Sequence, residues 1–88
     1  MKYYTFDLTD EQSIQFESVV YFNKVYSIEY AEDKIGCKIM LNYFNNSGLK
    51  SFRYLYKEFN DSNHHEFDYI FSLIKPFIRE HKINNLVN

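Results

Sequence analysis

The sequence predicts an α+β domain: an antiparallel meander sheet of about four strands packed by an amphipathic C-terminal helix, with a short helix after the first strand. Three observations carry that prediction. "KVYSIEY", "IGCKIMLNYF" and "LKSFRYLYKEF" alternate in polarity, are rich in β-branched and aromatic residues, and are separated only by short turn-forming segments. Phe67, Ile70, Phe71, Ile74, Phe77 and Ile78 then recur at helical spacing. The chain has 88 residues, 45% of them hydrophobic and 20% aromatic, enough for one small core and a single domain over 1–88.

Taken in order, "KYYTFDL" sets Tyr4, Phe6 and Leu8 against Tyr3, Thr5 and Asp7, the two-residue period of a first strand. "TDEQ" follows, with Thr9 three residues before Gln12, a capping-box spacing, and two acids where a helix dipole favours them. A helix is expected from Asp10 to about Ser18, burying Ile14. Alternation of Ile14, Phe16, Ser18, Val20 and Phe22 also fits a strand, and extended chain is expected by Val19.

"AEDK" and "NNSG" are the turns that make the next three strands antiparallel neighbours. In the middle strand Cys37, Ile39, Leu41 and Tyr43 share one face, and Lys38, Met40, Asn42 and Phe44 the other. In the last, Phe52, Tyr54 and Tyr56 oppose Ser51, Arg53, Leu55 and Lys57. The closing helix is expected over about Asn63 to His81, with Pro76 kinking it because proline cannot donate to the carbonyl of Ser72.

Composition narrows function mainly by exclusion. Apolar runs are no longer than four residues, as in "VVYF", too short to span a bilayer. The opening "MKYYTFDLTDEQ" has no signal-peptide core, so a soluble cytoplasmic protein without a membrane partner is expected. Abundant Asn, Ile, Lys, Tyr and Phe suit an AT-rich genome, such as that of a low-GC bacterium, its phages or its mobile elements.

Chemistry-bearing residues are sparse. His64 and Asp68 stand four apart on one helix face, the spacing of two metal ligands. A third ligand would have to come from Cys37, Asp61 or His81, and no H-E-x-x-H spacing exists. Asp61, Ser62 and Asn63 are instead good helix caps, and Asn63 with Glu66 has capping-box spacing, so the pair of histidines reads as a helix start. Cys37, the single cysteine, falls on a core-facing strand position, where a thiol behaves as a small hydrophobe. Two glycines exclude a glycine-rich phosphate loop. No enzyme activity, metal or cofactor is expected.

The charge distribution is uneven. Residues 1–33 carry seven acids and two bases, residues 34–57 five bases and no acid, and the remainder five acids and three bases. In the basic hairpin 34–57, Lys38, Lys50, Arg53 and Lys57 interleave with Tyr43, Phe44, Phe52, Tyr54 and Tyr56. Two functions compete for these residues. Eighteen aromatics exceed what one helix can cover, so Tyr and Phe should remain exposed as a protein-binding surface. The expected activity is therefore that of a small non-catalytic interaction module, with another protein or a second copy as partner, in the style of phage proteins that act on host machinery. The alternative is single-stranded nucleic-acid binding, in which lysines neutralise phosphates beside rings that stack on bases. Because Lys50 and Arg53 differ in parity, one strand face cannot hold all four cations.

Overall fold

The structure, a computed structural model, describes the backbone of residues 2–87 and the side chains of residues 2–81. The elements are β1 (Lys2–Asp7), α1 (Asp10–Ile14), a 3-10 turn (Glu17–Val20), β2 (Lys24–Glu32), β3 (Gly36–Phe44), β4 (Lys50–Glu58) and α2 (His65–Val87). The four strands form one antiparallel sheet in the order β1-β2-β3-β4, the expected meander. The chain extends 37 × 36 × 18 Å. The short dimension holds one sheet and one layer of helix, because such layers stack about 10 Å apart.

Strand register divides the sheet into two unlike faces. Phe6, Ile28, Leu41 and Arg53 lie in register across the four strands, followed by Tyr4, Tyr30, Ile39 and Leu55. These rows face α2, which supplies Phe67, Ile70, Ile74 and Ile78 to the same core. The helix stripe read from the sequence is thus the helix's buried face. Phe71 and Phe77 pack at its margins, Phe71 against Tyr30 with ring centroids 5.4 Å apart. Arg53 and Lys57 hold the start of α2 over β4 through Glu66 and, at 2.6 Å, Asp68.

The segment after β1 departs from expectation. The Thr9 cap is present, its hydroxyl accepting from Gln12 N–H while the Gln12 side chain accepts from Thr9 N–H. The α-helix then stops at Ile14, and Glu17–Val20 continue as a 3-10 turn. Ile14, expected inside, is 63% exposed; Ser13, Phe16 and Val20 are buried instead. The side chain one place earlier wins because the Ser13 hydroxyl caps a strand N–H, leaving Phe16 to fill the core against Phe77.

α2 also starts differently. It begins at His65, after the expected Asn63, and runs past His81 and through Pro76 to Val87. Its cap is not the Asn63–Glu66 box. His64 Nδ1 accepts from Phe67 N–H at 3.3 Å, so the imidazole does the work expected of an amide. Glu66, the other half of the expected box, is drawn to Arg53 instead.

Candidate surface on the open sheet face

No described helix covers the second face of the sheet. Its rows are Tyr3, Ala31, Lys38 and Tyr56; then Thr5, Glu29, Met40 and Tyr54; then Asp7, Ser27, Asn42 and Phe52. The two halves have different chemistry.

On β1 and β2, and reaching into β3, the polar groups satisfy one another. The Tyr3 hydroxyl donates to Glu29, and the Asn42 amide donates to Glu29 Oε2 and Ser27 Oγ, both at 3.0 Å. These donors, Tyr3 first and Asn42 next, hold the Glu29 carboxyl below the usual carboxylate range, with a smaller contribution from the Lys38 charge.

Toward β4 the face is dominated by aromatic rings, with Lys38 and Lys50 beside them. Phe52, Tyr54 and Tyr56 are 66%, 51% and 39% exposed, and Phe44 stands beside them, packed on Tyr26 with centroids 4.7 Å apart. Tyr56 lies over Gly36: a Cβ there would come within 2.9 Å of the tyrosine hydroxyl and 2.4 Å of the Lys57 carbonyl oxygen. Glycine is what leaves room there for the tyrosine hydroxyl and for the close approach of the β4 backbone. Ala31, Lys38, Tyr54 and Tyr56 border the shallow depression that results. Nine of the eighteen aromatics are exposed, as the surplus over one helix required.

The residues singled out from the sequence separate by face. Lys38, Phe44, Phe52, Tyr54 and Tyr56 come together on the open side. Tyr43 is half-buried against the core. Arg53 and Lys57 point to the helix side, where Arg53 also donates to the Val19 carbonyl at 2.6 Å. Lys50 is exposed, its ammonium 6.0 Å from the Tyr26 ring.

Two features escaped the sequence reading. Tyr3 completes the face through a strand pairing that local pattern does not reveal, and Met40 adds an apolar side chain to its β3 row. Tyr21 and Phe22 are both exposed and both left-handed, at φ 58° and 63°, a conformation that bulky side chains rarely adopt.

Among the described residues no group of three or more His, Cys, Asp or Glu side chains could hold a metal ion, and none of the described helices is long and apolar enough to cross a membrane. Cys37 is buried, and burial pushes its thiol above the usual range, which suppresses the reactive thiolate. Comparison with protein-family models, with curated proteins and with solved structures found no match.

Proposed function

We propose that the protein is a non-catalytic protein-interaction module that binds an apolar protein surface through the open β3–β4 face. One observation carries the reading: Phe52, Tyr54 and Tyr56 stand exposed in a single row, beside Phe44 and Met40, on a sheet whose other side is already a complete core. Aromatic side chains supply large rigid contact area with little rotamer entropy to lose, the property that makes them binding hot spots. The rows are also pre-organised, since Gly36 leaves room for the Tyr56 hydroxyl and Tyr26 backs Phe44.

The test compares proteins retained from a cell lysate by the parent chain, by Phe44→Ser and by Phe52→Ser. Neither ring contributes to the core, so both variants should keep the parent's circular dichroism. The expected result is one defined protein held by the parent and lost from both variants. Equal retention by all three, or retention of nothing, overturns the proposal.

A further inference from the structure

We infer that the free edge of β4 is a pairing site for β4 of a second copy of this chain, in antiparallel register centred on Tyr54. The β3–β4 ladder fixes which backbone groups of β4 are turned outward. Beyond the two ends of the β3–β4 pairing, Asn45 N–H donates to the Leu49 carbonyl at 3.2 Å, and Phe59 N–H to that of Ile35 at 3.0 Å. Antiparallel bonding alternates, so these bonds place the inward-turned backbone groups at Ser51, Arg53, Leu55 and Lys57. The N–H and C=O groups of Lys50, Phe52, Tyr54, Tyr56 and Glu58 therefore turn outward, to the edge.

Glu58 bears this out. Its N–H donates to Asp61 Oδ2 at 3.2 Å, and its carbonyl accepts from Asp61 N–H at 3.0 Å, so the following loop closes that end. Among the described residues nothing closes the edge from Lys50 to Tyr56. β4 has nine residues and pairs with β3 without a bulge, and it contains no proline. Natural edges are usually guarded by such features, and a long regular edge is a template for another strand. The charges that β4 turns toward the helix, Arg53 and Lys57, are already neutralised by Glu66 and Asp68, so a neighbouring strand would meet no free cation there.

A second copy fits because β4 complements itself. With Tyr54 opposite Tyr54 of the partner, Phe52 faces Tyr56 and Lys50 faces Glu58, each twice by two-fold symmetry. Ring meets ring and cation meets anion, and every outward-turned residue opposes another outward-turned one, as ladder bonding requires. This register would also join two aromatic rows into one continuous surface. The inference stands apart from the face-binding proposal, because edge pairing uses backbone groups and the Lys50 and Glu58 charges.

The test uses the full chain in sedimentation equilibrium and concentration-dependent amide exchange. A dimer is expected in which the amides of Phe52, Tyr54 and Tyr56 slow by on the order of tenfold or more as dimer forms, while those of Ser51, Arg53, Leu55 and Lys57 are protected throughout. Lys50→Glu and Glu58→Lys should each weaken the dimer, and the double exchange should restore it. Both side chains are exposed, so the fold is preserved. A monomer at all concentrations overturns the inference, as does a dimer whose outward amides stay unprotected or whose charge variants are not mutually rescued. A monomer that still captures a partner defeats only the edge; a paired dimer that captures nothing defeats only the face.

Discussion

The hydroxyl of Ser13 accepts the backbone N–H of Val25 at 3.0 Å, inside the protein. Val25 sits where the β2–β3 register slips, two residues before β2 begins pairing with the end of β1. Its N–H needs a partner there, and α1 delivers one. Ser13→Ala leaves that buried donor unsatisfied, at a cost of about 1–3 kcal/mol. In a domain of this size each kcal/mol lowers Tm by about 4–8 °C. The predicted effect is a loss in that range by thermal melting; a variant that melts with the parent would show that the bond contributes nothing.

Ile74 tests the helix-on-sheet core. It is fully buried at the centre of the stripe. Ile74→Ala should cost about 2–5 kcal/mol in urea unfolding. Ile74→Asp buries an unpaired charge and should leave no cooperative transition.

These two residues mark where sequence reading succeeds and where it stops. Ile74 belongs to a periodic stripe, and its burial follows from spacing alone. Strand faces in β3 and β4 were legible for the same reason, as was the separation of Lys50 from Arg53. Ser13 was not legible, because its role depends on a register shift in a distant strand. Ile14 was misplaced because five residues of helix are too few for periodicity to identify the inward side. The candidate surface was legible in its β3 and β4 rows, whereas Tyr3 joined it only through pairing across the sheet.

Tyr21 holds a left-handed conformation at φ 58°, ψ 38°, closing the 3-10 turn, with its ring in solvent. A non-glycine residue there carries strain of the order of 1 kcal/mol or more. Tyr21→Asn and Tyr21→Gly relieve it, and asparagine does so without adding backbone freedom to the unfolded chain. Tyr21→Asn is therefore expected to raise stability by about 0.5–1 kcal/mol, read as an upward shift of the urea midpoint. A fall would mean that the ring makes a contact worth more than the strain.

Several carboxyls make stability sensitive to acid. Glu29 is held low by Tyr3 and Asn42, Asp33 by the N–H groups of Gly36 and Ile35, and Asp68 by Lys57. Each native pKa lies below its unfolded value, so each contribution is fully present above the unfolded carboxylate range of about 4. It is lost as pH falls through the lower native value. Urea midpoints should be level between about pH 7 and pH 5 and should drop steadily below about pH 4. Asp68→Asn should shallow that drop, and its difference from the parent should vanish at the acid end. A parent protein equally stable at pH 7 and pH 3 would contradict this assignment.

The basic hairpin yields the remaining prediction. Stacking on Phe52, Tyr54 and Tyr56 would need phosphate-binding cations on the same side of the sheet. Of the four cations in the hairpin's alternating pattern, Arg53 and Lys57 are turned to the helix and paired with Glu66 and Asp68. Lys38 and Lys50 remain on the aromatic side, and the Lys38 charge already acts on Glu29 and Asp33. Two phosphate contacts on a single strand give a log–log salt slope of only about −1.4. Fluorescence anisotropy of labelled single-stranded DNA and RNA should therefore stay flat at about 0.15 M salt, with at most weak binding when salt is removed. Saturable binding at that salt, lost in both Lys38→Ala and Phe52→Ala, would instead place a nucleic-acid strand on the open face and displace the protein-binding reading.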